Sequence, residues 1–172
     1  MTKVASAALL ELARHVRVKQ LDALWRIEHH VEFSASPHIR DLCAGRGLSI
    51  DREVTLRDDG TMCVLAPFAW DGPSPRLKVV WRGRVLFSVG TPLGPRVPGT
   101  SIRVTTRGSL RHDRLCRSRA KIASILGVPE SRVIEAADLC LLDDISADWS
   151  PLWGRRFYRA VRASGDAYRS IA

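Results

Sequence analysis

Residues 52–66 read Arg-Glu-Val-Thr-Leu-Arg-Asp-Asp-Gly-Thr-Met-Cys-Val-Leu-Ala. Val54 and Leu56 alternate with Thr55 and Arg57, Asp58-Asp59-Gly60 interrupts, and Met62, Val64 and Ala66 resume the alternation. Apolar residues at period two on both sides of an Asp-Gly turn specify a β-hairpin with one buried face. The chain is thereby committed to antiparallel sheet. Arg52 stands at the start of the first strand, where a side chain on the buried face could meet an anion. The plainer alternative is a solvated basic residue at the root of the hairpin.

At 172 residues, 45% of them hydrophobic, the chain suits one domain with a sizeable core. It contains no apolar run near the roughly 20 residues needed to span a bilayer. The amino terminus shows no secretory pattern. The cysteines at 43, 63, 116 and 140 lack Cys-x-x-Cys spacing, so they read as reduced thiols rather than a zinc site. A cytoplasmic protein without metal or cofactor is the expectation.

The formal net charge is +9. Arginine carries it, and its planar fork suits bidentate contact with carboxylate or phosphate. From Arg76 to Arg119 there are eleven basic residues and one acid, Asp113. From Glu130 to Asp148 there are six acids and only Arg132. Such blocks predict either an anion-binding surface or two oppositely charged faces that attract each other.

In chain order, helical spacing of Leu9, Ala13, Val16, Leu24 and Ile27 predicts a first helix over 6–28. His29 and His30 follow it; adjacent residues diverge too far on a helix to chelate one metal. A short capped helix is expected in 34–43, stopped by Gly45 and Gly47, with a strand starting at Leu48. After the 52–66 hairpin, 77–81 and 85–89 flank Arg82-Gly83-Arg84 as a second one. Gly90–Gly99 is irregular, and 101–106 reads as a short strand. Helices are expected over 111–126 and 130–142, and a terminal strand over 153–171. The fold class is α+β, an antiparallel sheet flanked by helices.

Residues 119–139 carry helix-turn-helix spacing: small Ala123, then Gly127 at the turn, then Val133, with Ile122, Leu126, Val128 and Ala136 apolar. Within a single domain over 1–172, this pair forms an insertion at about 111–142. A nucleic-acid reading uses this 119–139 segment together with the basic 76–119 surface and assigns contacts to Arg117, Arg119, Lys121 and Arg132. Glu130, Glu135 and Asp138 on the second helix oppose it, because phosphates repel them. Two packed helices need the same small and apolar residues without any DNA.

Several stretches resemble bacterial chorismate lyase, in that family's order. Arg52-Glu53-Val54-Thr55-Leu56-Arg57-Asp58-Asp59-Gly60 is similar to its hairpin, and Thr91-Pro92-Leu93-Gly94 to its Pro-Leu-Gly loop. Leu152-Trp153-Gly154-Arg155-Arg156 resembles the start of its last strands, with Ser164-Gly165 at the following turn. The resemblance implies a chorismate-lyase-like fold, and binding of chorismate or a related aromatic carboxylate, with or without pyruvate elimination to 4-hydroxybenzoate. It makes Arg52 the carboxylate anchor and brings the backbone around Leu93 and Gly94 to the same ligand, with Arg155 and Arg156 nearby. The family's catalytic glutamate falls at Ile171-Ala172, where there is no carboxylate, so no residue is assigned a catalytic role. The expected partner is a small aromatic carboxylate or, in the rival reading, nucleic acid; an acidic protein partner for the basic face is the third.

Overall fold

The structure, a computed structural model, describes residues 7–18, 25–70, 76–81, 84–90 and 94–169. In chain order the elements are α1 (Ala7–His15), β1 (Val16–Val18), β2 (Trp25–Ile27), β3 (Val31–Phe33), α2 (Pro37–Cys43), β4 (Leu48–Ile50), β5 (Val54–Leu56), β6 (Met62–Val64), β7 (Phe68–Trp70), β8 (Arg76–Trp81), β9 (Arg84–Gly90), α3 (Thr106–Arg117), α4 (Arg119–Leu126), α5 (Glu130–Asp148) and α6 (Pro151–Arg169). The fold is α+β with antiparallel strands.

The Asp-Gly hairpin forms where the alternation places it. Val54 faces Val64 and Leu56 faces Met62 across β5 and β6. Arg57 N–H donates to Thr61 O at 2.9 Å, and Asp59 accepts the Thr61 N–H at 2.7 Å. Gly60 turns the chain with φ 91°, packed so closely on Ser36 that a Cβ would strike its carbonyl. With β3 and β4 the hairpin makes a four-stranded sheet in the order β3-β6-β5-β4. Two rows cross its buried face: Val31, Val64, Val54 and Ile50, then Phe33, Met62, Leu56 and Leu48. Each such side chain contributes about 1.5–3 kcal/mol when buried. A one-residue slip would put Thr55 and Cys63 inside instead, so the register is fixed.

The anticipated single sheet is in fact three. Strands β1-β2-β7 and β8-β9 form separate antiparallel sheets, the latter matching the second anticipated hairpin with Leu77 opposite Val89. The anticipated first helix stops at His15, because the β-branched Val16 and Val18 pair with Ile27 and Trp25 instead. Residues 101–106 hold one isolated bridge, Arg96 with Arg103, and otherwise turn into α3. The anticipated 111–126 helix is two, broken at Ser118.

The terminal segment is α6, a helix and not a strand. Ser150 accepts the Trp153 N–H through its hydroxyl at 3.4 Å, and Pro151 opens the first turn. Trp153, Phe157 and Val161, four residues apart, pack on Leu141 and Ile145 of α5. Gly154 lets the helices cross closely: a Cβ there would overlap Ser146 Oγ and approach Leu142 O. The Leu-Trp-Gly-Arg-Arg stretch thus serves a helix crossing. Within the 111–142 region α5 packs on α2, α3, α4 and α6. No helix among the described residues is long and apolar enough to cross a membrane.

Candidate functional site

Arg52 does not face inward. Strand β5 begins only at Val54, and 51–53 make the tight connection from β4, with Glu53 N–H donating to Ile50 O at 3.0 Å. At this loop tip Arg52 has φ 57° and a side chain 90% exposed, with only the equally exposed Asp51 carboxylate near it, at 3.9 Å. Strand alternation never applied to it, which is why the expected inward anchor is absent. Its neighbour Glu53 faces the helices instead. Glu53 accepts Ser118 Oγ at 2.7 Å and pairs with Lys121, and these contacts hold its carboxyl below the usual range, Lys121 first.

The other residues of the expected ligand site do not converge either. Leu93 lies outside the described residues. Gly94, with φ 70°, sits against Val104 and Trp149, and its carbonyl accepts Arg103 Nη1 at 2.8 Å. Arg155 and Arg156 are exposed on α6, Arg156 lying 4.8 Å over the Trp153 ring.

The helix-turn-helix geometry does form: Gly127 ends α4 at φ 70° and its N–H returns to Ala123 O. Its basic residues are engaged within the chain, however. Arg119 pairs with Glu130 at 2.9 Å, Arg132 with Glu135 at 3.0 Å, and Lys121 with Glu53. Arg117 donates to Ala69 O at 2.8 Å and lies over Phe68. The second helix, α5, exposes its first turn, Glu130 to Arg132, and buries Val133, Ala136, Ala137, Cys140 and Leu141 against its neighbours.

The two charge blocks meet each other. Arg107 of α3 donates from Nε to Asp148 at 2.7 Å and pairs through Nη2 with Asp144 at 3.3 Å; Arg111 Nε lies 3.4 Å from the other Asp144 oxygen. All four groups are buried. Arg111 also stacks 4.6 Å over Phe33 and donates to Ser34 O at 3.1 Å, tying α3 to the sheet. Burial pushes the Asp144 carboxyl up against the pull of Arg111 and Arg107. Burial alone would lower Arg107, but Asp144 and Asp148 outweigh it and the net direction is up. Such charges are tolerated out of water only because each has its counter-ion.

His112 continues the ladder. Its Nε2 is 3.0 Å from Asp138 and its Nδ1 3.2 Å from Asp113, with Cys116 Sγ 3.6 Å from Nε2. Burial would lower its basicity, yet the bonds to Asp113, Asp138 and Cys116 carry it well above the ordinary imidazole value. Thiol, imidazole and carboxylate so arranged resemble a nucleophile with its base. Each nitrogen, however, already faces a carboxylate oxygen as its acceptor, an arrangement that favours N–H on both and leaves no lone pair aimed at the thiol. Among the described residues no group of three or more His, Cys, Asp or Glu is placed to hold a metal.

One cleft, of about 280 Å³, lies between α1, the β3 segment and α3. Ala8, Leu12, Val31 and Phe33 supply its apolar wall and Arg107 its cation. The rim carboxylates are already paired, Glu11 with Arg14 at 2.8 Å and Glu32 with Arg57 at 3.3 Å. Nε and Nη2 of Arg107 are committed to aspartates, which fixes the guanidinium at the cleft's edge. A more open depression of about 390 Å³ lies beside it, sharing His30 and adding His29, where His30 Nδ1 accepts the Ala66 N–H at 2.9 Å. Arg107 escaped the sequence reading; the only signal was its spacing of four from Arg111, opposite Asp144 and Asp148 at the same spacing. No family model, curated protein or solved structure matches this chain.

Proposed function

We propose that this chain binds a small aromatic carboxylate, with Arg107 in place of Arg52 as the group that faces the acid. The observation that carries the reading is the cleft: apolar Leu12, Val31 and Phe33 beside one buried guanidinium. Ligand sites commonly combine such walls with a few fixed polar groups. At about 280 Å³ the space suits a molecule the size of a hydroxybenzoate rather than a nucleotide. Arg107 is held by Asp148 and Asp144 before any ligand arrives, so little ordering cost falls on binding. The family resemblance in the sequence supports the same ligand class. Binding without cleavage is the form proposed, because among the described residues the two carboxylates that line the cleft, Glu11 and Glu32, are paired with Arg14 and Arg57. Four free thiols fit a reducing cytoplasm. In the rival DNA reading through 119–139, Arg119, Lys121 and Arg132 are paired with Glu130, Glu53 and Glu135, Arg117 donates to the Ala69 carbonyl, and Glu130 and Glu135 on α5 repel phosphate.

Calorimetry with 4-hydroxybenzoate tests this, using wild type and Ala8→Trp. Ala8 is exposed at the cleft mouth, so the indole blocks the space without entering the core. Saturable binding by wild type, weakened roughly ten-fold or more in the variant (about 1.4 kcal/mol), supports the reading. No heat with wild type, or equal affinity in both, sinks it. Incubation with chorismate and assay for pyruvate decides whether elimination also occurs.

A further inference from the structure

The outward face of α6 carries Arg155, Arg156, Arg159 and Arg162, all exposed, and residues 151–163 contain no acid. Spacings of four and three residues put Arg155, Arg159 and Arg162 in one row. Several exposed arginines elsewhere are paired, Arg14 with Glu11, Arg57 with Glu32 and Arg132 with Glu135; Arg26, Arg40 and Arg96 are also exposed, but on separate segments rather than in one row. On α6, Arg162 reaches Asp138 only at 3.5 Å and Arg156 rests on Trp153, while Arg155 and Arg159 have no ion-pair partner among the described residues.

We propose that this row docks the phosphate backbone of double-stranded nucleic acid without reading its bases. This goes beyond the cleft and does not depend on it. Guanidinium forks match phosphate oxygens. Seven residues of helix span about 10 Å at about 1.5 Å each, against about 3.4 Å of axis per phosphate of one strand, so the row meets roughly three phosphates. The α6 backbone is rigid where it packs on α5, which suits the fixed phosphate spacing of a duplex. A single strand calls for aromatic platforms. Trp153 cannot serve as one, lying between Trp149 (4.3 Å, nearly parallel) and Arg156. A lipid surface calls for a free apolar face. That face of α6, Trp153, Phe157 and Val161, is packed on α5, leaving only Leu152 outward, 59% exposed.

The test uses a fluorescent 20-base-pair duplex in two unrelated sequences, titrated with the 172-residue chain from 50 to 200 mM NaCl. Three to four phosphate contacts give a log–log slope of about −3 and a roughly 40- to 150-fold loss of affinity over that range. Arg155→Gln/Arg159→Gln is expected to reduce the slope by about 2, Arg155→Lys/Arg159→Lys to keep it, and Arg119→Gln/Arg132→Gln, which removes already paired cations, to leave it unchanged. Equal affinity for both sequences supports backbone docking; a strong preference for one overturns it. The proposal also fails if wild type does not bind duplex at 50 mM salt, or if the glutamine pair leaves the slope intact. Tighter binding to phosphatidylserine vesicles or to polyglutamate than to the duplex would overturn it in favour of a membrane or an acidic protein.

Discussion

Arg107 and Arg111 stand four residues apart on α3, and Arg155 and Arg159 stand four apart on α6, yet the two pairs live in opposite worlds. The first pair is buried against Asp144 and Asp148, and the second is in solvent with no ion-pair partner among the described residues. The intrinsic chemistry is identical. The difference lies in which neighbouring helix turns a complementary row toward them: α5 offers α3 aspartates at 144 and 148, and offers α6 Leu141 and Ile145. The α3 arginines are therefore fixed by aspartates of α5, with Arg107 at the cleft's edge, while Arg155 and Arg159 keep their guanidinium forks in solvent.

The contrast is broken most severely by stranding one charge. Asp148→Ala leaves the Arg107 Nε without its 2.7 Å acceptor, and breaking a buried pair from one side costs about 3–5 kcal/mol. Urea unfolding would read it as a lower midpoint at unchanged slope. Replacing both charges, Arg107→Met with Asp148→Leu, should recover most of that loss, since an apolar pair of similar volume is often neutral. If the double variant is as weak as the single, the ladder contributes more than charge compensation.

Next comes the α5–α6 crossing. Gly154→Val forces a branched side chain into Ser146 and Leu142, and overpacking of this kind costs about 1–3 kcal/mol. Thermal unfolding should show it while far-ultraviolet dichroism stays helical.

A smaller effect distinguishes His112. Its basicity is raised in the folded state, so its contribution to stability is complete below the ordinary imidazole value of 6.5 and is lost as pH climbs through the higher folded value. Unfolding midpoints measured at intervals from pH 6 to 9 should fall on the alkaline side, and His112→Gln should flatten that fall. The groups it faces are Asp113, Asp138 and Cys116, with Arg162 behind Asp138.

The smallest effect is on α6. Arg155→Gln with Arg159→Gln should move stability by less than about 0.5 kcal/mol, in chemical denaturation at any salt. A larger loss would mean these side chains have partners inside the fold, and the outer row would then not be spare.

Much of the local structure was legible. The 52–66 hairpin, the short helix ending before Gly45, the second hairpin and the glycine turn at 127 all follow from periodicity and turn chemistry within a few residues. The terminal helix was legible too, in Trp153, Phe157 and Val161 at spacing four, although the resemblance to chorismate lyase implied a strand there. Arg52 misled because parity along a strand says nothing about a residue one step outside it. The opposed charge blocks did foretell attraction, although not that it would be buried.

What the residues themselves determined is therefore the set of elements and their buried faces, since helix and strand periods, turns and caps act over a handful of positions. Which arginine lost its water, which stayed outside, and where a cleft opened depended on the packing of α1, α3 and α6 around β3 and α5. Desolvation and counter-ion pairing act between groups far apart along the chain, and those distances exist only after folding.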